Sequence, residues 1–199
     1  MKTLSDEEVL ANQKLVFKLI DKNFSEQRKV LVKEMLEGQV GTEYFSCPGS
    51  SKLEYHDCFV GGLCYHSLNV FKNLRKLADT MTPGKFSIET LLFSALFHDL
   101  GKVGDGVEPY YLPEESQWHR EKLGKMYNIN KKCVMMPTSE RGLYILQQHG
   151  IQMSSDEYLA IRLNDGMYPP ENKSYGMHEP ELALLTHWAD RWDAGAQKD

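Results

Sequence analysis

The chain has 199 residues and a mass of 22.9 kDa, long enough to bury a core without disulfide or metal cross-links. Hydrophobic residues make up 41% and charged residues 26%, which excludes a disordered, collagen-like or coiled-coil chain. The formal charge of −5 and the pI near 5.8 speak against a broad nucleic-acid-binding surface and leave room for a small basic pocket.

No apolar run approaches the roughly 20 residues that a membrane helix needs. Met1 to Leu10 is polar and acidic, with no signal-peptide core. Cys47, Cys58, Cys64 and Cys133 form no CxxC pair and read as reduced thiols. The expected compartment is the cytoplasm, with no membrane partner.

Ser5 followed by Asp6, Glu7 and Glu8 predicts a capped helix start before Leu10, Leu15, Val16, Leu19 and Ile20. Ser25 caps a second helix with Val30, Leu31, Met35 and Leu36, which Gly38 and Gly41 end. Cys47 to Ser51 reads as a turn or loop. Gly61-Gly62 leads into a strong helical pattern on Leu63, His66, Val70, Leu74 and Leu77, broken at Thr82-Pro83-Gly84. Ser87 caps the next helix, whose apolar stripe is Leu91, Leu92, Ala95, Leu96 and Leu100, and Gly101 fits its C-terminal cap.

From Val103 to Pro137 glycines and prolines interrupt every pattern, and an irregular stretch this long is often functional. Helical signals return over Ser139 to Gln148, and again from Ser154 or Ser155 with Asp156 and Glu157 in the first turn. Gly166 to Gly176 is a loop with two adjacent prolines. Pro180 opens the last helix, with Leu182, Leu184, Leu185, Trp188 and Ala189, and the tail after Ala194 is expected to fray. No segment alternates with period two. The expected fold class is therefore all-α, a single-domain helical bundle over residues 1–199. Helices within 1–45 pack on a core over 46–194, and 103–137 is an irregular insertion over one face.

The informative element is Phe97-His98-Asp99-Leu100-Gly101-Lys102. Adjacent residues on a helix point about 100° apart, so His98 and Asp99 reach one ion only where the helix ends. An unpaired buried carboxylate is costly, and a metal ion accounts for it. His66 lies on the inward face of the preceding helix and Asp190 on that of the last one. Three helices then bring His66, His98, Asp99 and Asp190 around one point. Two imidazoles and two carboxylates suit one divalent ion: Mn²⁺, Fe²⁺, Co²⁺, Ni²⁺, Zn²⁺ or Mg²⁺.

The order His66, His98-Asp99, Asp190 resembles the H…HD…D signature of the HD superfamily of metal-dependent phosphohydrolases. The flanks resemble it too: Gly61-Gly62-Leu63-Cys64-Tyr65-His66-Ser67-Leu68-Asn69-Val70, then Leu96 to Lys102, then Thr186-His187-Trp188-Ala189-Asp190. The likeness runs from about Tyr44 to Ala194 and is greatest to small HD proteins of bacteria and their tailed phages. A phage-encoded chain would act in the host cytoplasm. The resemblance implies a bundle of α-helices, with His66, His98, Asp99 and Asp190 as metal ligands. Many HD proteins hold a second metal with two more histidines. The matching segments here, Met136 to Glu140 and Ile161 to Asp165, contain none. One ion is expected, with His119, His149 and Asp165 as the candidates for any second site.

A metal there acts as a Lewis acid and lowers the pKa of water. The expected catalytic residues are Asp99, which orients or deprotonates that water, and Lys102. Lys102, one turn past His98, is the first cation for a phosphoryl group and Arg120 the second. Trp118, His119, Tyr110 and Tyr111 join Lys102 and Arg120 as candidate substrate-binding residues, the aromatic ones by stacking on a base. His56-Asp57 lacks the Gly-Lys sequel and reads as a structural or pocket-rim pair. His187 reads as a packing or capping residue, His149 as a helix-end histidine, His178 as exposed and Asp193 as surface.

These residues point to hydrolysis of a phosphate ester or anhydride in a nucleotide, by a nucleotidase or nucleoside triphosphate hydrolase. The expected partner is a small nucleotide rather than a long nucleic acid, and a homo-oligomer is compatible with the sequence. The alternatives are a phosphodiesterase on RNA or DNA ends or on a cyclic or oligonucleotide signal, and a non-catalytic metal-bound module. No GYP motif follows the HD pair, which disfavours cyclic dinucleotide hydrolysis of that branch, and the missing histidines disfavour a diiron oxygenase.

Overall fold

The computed structural model describes residues 3–196. Its helices are α1 (Asp6–Asn23), α2 (Glu26–Glu37), α3 (Gln39–Ser46), α4 (Gly62–Met81), α5 (Ile88–Phe97), α6 (Gln117–Leu123), α7 (Thr138–Gln148), α8 (Ser155–Arg162) and α9 (Glu181–Ala196). Two 3-10 segments, Leu100–Val103 and Pro170–Tyr175, join them. The fold is all-α, with one short antiparallel ribbon of β1 (Tyr111–Pro113) and β2 (Tyr127–Ile129), in which Tyr111 faces Ile129. No described helix is long and apolar enough to cross a membrane.

Local chemistry sets the helix starts. Ser5 caps α1 and Ser154 caps α8, each in a capping box with the glutamate three residues on, Glu8 and Glu157. Ser87 caps α5 by accepting from the Thr90 amide. The centre of the bundle is α4, which packs on α5 and α9 and touches α1 and α3. Its inward face carries Leu63, His66, Val70 and Leu74, all buried. Helix α5 is buried on every side from Leu91 to Phe97, and Leu92, Phe93, Leu96 and Phe97 are wholly enclosed. Each such side chain contributes on the order of 1.5–3 kcal/mol relative to exposure. The core is continuous from Val16 of α1 to Ala189 of α9. Tyr44 of α3 donates to the Leu96 carbonyl at 3.0 Å, deep in this core, and so ties α3 to the end of α5.

Four expectations need correction. Gly41 does not end a helix; it lies inside α3, where a Cβ would meet the Leu36 carbonyl oxygen at 1.7 Å. Gly101 does not cap α5, because the α-helix stops at Phe97 and Gly101 belongs to the 3-10 segment. There it touches α7 so closely that a Cβ would lie 2.0 Å from the Thr138 carbonyl oxygen. The 103–137 stretch is built rather than irregular throughout: it holds the β-ribbon and α6, strands of three residues being too short to show alternation. Helix α9 continues through Ala196, so only 197–199 of the expected frayed tail lie outside the described residues.

Candidate metal centre

Helix α5 ends where the His-Asp pair begins. His98 keeps helical angles, φ −56° and ψ −35°, and Asp99 leaves them at φ −109° and ψ 14°. The break lets both side chains turn to the same side. His66 enters from α4 and Asp190 from α9. Nε2 of His66 lies 3.3 Å from Nε2 of His98, 2.9 Å from Oδ1 of Asp190 and 3.9 Å from Oδ2 of Asp99. Nε2 of His98 lies 3.5 Å from Asp99 Oδ2 and 3.8 Å from Asp190 Oδ1. Ligands about 2.1 Å from one ion stand roughly 3.0–3.4 Å apart, so this set needs only small movements to close on a cation.

The chemistry of the donors fits such an ion. Nδ1 of His98 donates to the Ala95 carbonyl at 2.8 Å, and Nδ1 of His66 donates to Asp193 Oδ2 at 2.7 Å. Both rings therefore aim Nε2 at the same point, the ring orientation that metal-ligating histidines take from such partners. Four carboxylates stand within 4 Å of the His66 ring nitrogens: Asp99 and Asp190 at Nε2, Asp57 and Asp193 at Nδ1. Lys102 offsets Asp99, with Nζ 2.6 Å from Oδ2, and also donates to the Gly49 carbonyl at 2.8 Å. A divalent cation held there would balance the rest.

Protonation follows the same field. Burial opposes a charged His66, but hydrogen bonds to Asp190 and Asp193, with the charges of Asp190 and Asp99, raise it to about 9. Burial also opposes a charged Asp99, yet Lys102, His98 and His66 hold its carboxyl well below the usual range. His56 is pushed down to about 3 by burial, then by Lys102 and His66, and so is neutral.

The centre opens on a cleft of about 780 Å³. Asp99, Lys102, Asp190 and Arg191 line it on one side, and the Gly49–His56 loop, Tyr111 and the Asp165–Tyr168 loop on the others. The exposed Arg191 guanidinium makes no hydrogen bond or ion pair among the described residues.

Of the residues expected from sequence, the structure brings together His66, His98, Asp99 and Asp190, with Lys102 beside them. It does not bring Trp118, His119 and Arg120, which lie on α6 outside the cleft. Arg120 is spent on the carbonyls of Glu114 and Glu115, His119 faces Glu114 at 3.2 Å, and Trp118 is exposed. Tyr111 lines the cleft, whereas Tyr110 stacks on the Arg141 guanidinium. Among the second-site candidates only Asp165 reaches the cleft; His149 is the C-cap of α7. Asp193 is not a surface residue but a buried partner of His66. His56 lines the cleft, as a rim residue should. His187 lines it too, with Nδ1 hydrogen-bonded to the Asn164 carbonyl. The sequence places Asp193 at the surface and does not single out Arg191, although both follow Asp190 within one turn of α9.

The HD domain family model matches residues 63–195. The searches of curated proteins and of solved structures each return no match.

Proposed function

The chain belongs to the HD domain family of metal-dependent phosphohydrolases, and from that premise we propose that its substrate is a nucleotide. In this reading it cleaves a phosphate ester or anhydride of a free nucleotide, as a nucleotidase or nucleoside triphosphate hydrolase, in the cytoplasm. One observation carries the reading: Asp99 and Asp190 of the His/Asp cluster line a cleft about 780 Å³ in volume, together with Lys102, Arg191 and three tyrosines, Tyr55, Tyr111 and Tyr168. That volume suits a mononucleotide-sized ligand.

His66, His98, Asp99 and Asp190 would hold one divalent ion. Such an ion supplies a Lewis acid for a phosphoryl oxygen and lowers the pKa of water to near neutrality. Asp99, kept ionised beside Lys102, accepts a hydrogen bond from the attacking water and fixes its orientation. Lys102 and Arg191 offset the charge that grows on the phosphoryl oxygens, which is where phosphoryl-transfer catalysis gains most. Tyr111 and Tyr168 offer flat faces to the base or sugar.

The test is phosphate release from nucleoside mono-, di- and triphosphates, a cyclic dinucleotide and a short RNA. Each is offered with Mn²⁺, Co²⁺, Ni²⁺, Zn²⁺ or Mg²⁺, and with an Asp99→Ala control. Metal-dependent release from a mononucleotide, lost in the control, supports the reading. Cleavage of only the RNA or the cyclic substrate replaces it with a phosphodiesterase.

A further inference from the structure

We propose that His56 is a fifth protein ligand of the ion held by His66, His98, Asp99 and Asp190. The inference rests on the metal-centre reading above and extends it to a residue outside the His…His-Asp…Asp pattern.

Three observations meet at this side chain. The first is an unmet valence: Nε2 of His56 is buried and has no hydrogen-bond partner. Leaving a ring nitrogen out of water in that way is costly unless something binds it. The second is position. The His56 ring lies over the His66 ring, with centroids 4.4 Å apart and planes 37° apart. One ligating atom from each of His56, His66 and Asp190 falls within 4.8 Å of the other two. Ligands of one ion at about 2.1 Å are separated by up to roughly 4.2 Å, so His56, His66 and Asp190 stand close to the spacing that one ion allows.

The third observation is how the loop holds His56 in place. Asp57 takes φ 52°, in the left-handed region that an aspartate adopts only at some cost. The Asp57 carbonyl accepts from the amides of Gly49 and Phe59, both at 2.8 Å. Its carboxylate Oδ2 stands 3.7 Å from Nδ1 of His66. The turn thus sends both side chains of the dipeptide to one imidazole: His56 groups there with Asp190, and Asp57 with Asp193.

Five donors, three imidazoles and two carboxylates, would still leave a six-coordinate ion room for a water or a phosphoryl oxygen. A third nitrogen donor also moves the preference from Mg²⁺, which favours oxygen ligands, toward Mn²⁺, Fe²⁺, Co²⁺ or Ni²⁺.

The experiment titrates Co²⁺ into metal-stripped full-length protein, by calorimetry and by the visible ligand-field spectrum. The proteins are wild type, His56→Ala, His56→Gln and His98→Ala. Both His56 variants are expected to bind Co²⁺ about 10- to 100-fold more weakly, with an altered spectrum, and His98→Ala to lose binding. If His98→Ala loses Co²⁺ while both His56 variants match wild type, this inference is overturned and the centre stands. If His98→Ala itself binds as wild type, the centre falls and His56 with it. Should the His56 variants not fold, spin-echo EPR of Mn²⁺-loaded wild type still decides: three coordinated histidine nitrogens support the assignment and two overturn it.

Discussion

Nδ1 of His66 stands 2.7 Å from Oδ2 of Asp193, and this contact determines which ring nitrogen faces His98. Asp193 lies three residues beyond Asp190 on α9, so one helix face delivers both the carboxylate at Nε2 and the carboxylate at Nδ1. Asp193→Ala frees the His66 ring to choose the other tautomer. It is expected to weaken divalent-metal binding about 10- to 100-fold, the usual cost of removing such a partner. Calorimetric titration with Mn²⁺ or Co²⁺ measures this, and unchanged affinity contradicts the role.

The metal-free protein should lose stability as the solution becomes alkaline. His66 titrates at about 9 in the folded chain, above the ~6.5 of an unfolded one. Folding therefore favours the bound proton. This contribution is complete below about pH 6.5 and is lost as pH rises through about 9. Melting temperatures of chelator-treated protein should fall across that window more steeply than those of His66→Gln. An entering cation must displace the same proton, so metal affinity should climb over the same range.

Arg191 lines the cleft, and Arg120 lies on α6 outside it. Arg191→Ala removes a solvent-exposed guanidinium with no ion pair among the described residues. It should raise KM for a phosphorylated substrate about tenfold, one charge-assisted hydrogen bond's worth, and leave the melting temperature unchanged. Trp118→Ala should leave KM within about twofold, because it stands outside the cleft. Steady-state kinetics on both variants decides; the opposite ranking would put the substrate on α6.

Gly101→Ala should destabilise the fold by about 1–3 kcal/mol, since its Cβ would enter the Thr138 carbonyl. The same push displaces Asp99 and Lys102, its near neighbours in the chain. Urea denaturation gives the stability loss, and a variant as stable as wild type would mean that the contact with α7 relaxes freely.

The site was legible in sequence where its chemistry is local. His98, Asp99 and Lys102 are contiguous, and the apolar stripe of α5 reveals the helix end that makes them useful. His66 and Asp190 were legible because each sits on a helix face with apolar neighbours. Asp193 was not: a second aspartate one turn on looks like solvent-facing charge until the facing His66 is seen. His56 and Arg191 depend on a left-handed turn at Asp57 and on the cleft wall, neither of which has a periodic signature. The α6 residues lie outside the cleft. An aromatic, a histidine and an arginine in a row look like a binding site, but Glu114 and its neighbours had already engaged two of them. Gly41 and Gly101 misled as helix terminators because close packing, not chain reversal, explains a glycine there.

The most direct test is phosphate release from mononucleotides by metal-stripped protein, before and after restoring one equivalent of Mn²⁺ or Co²⁺. The expected result is no release without metal, release upon its return, and none from Asp99→Ala that still melts cooperatively. Equal release by the stripped and restored protein, or by Asp99→Ala, would contradict the metal-dependent account.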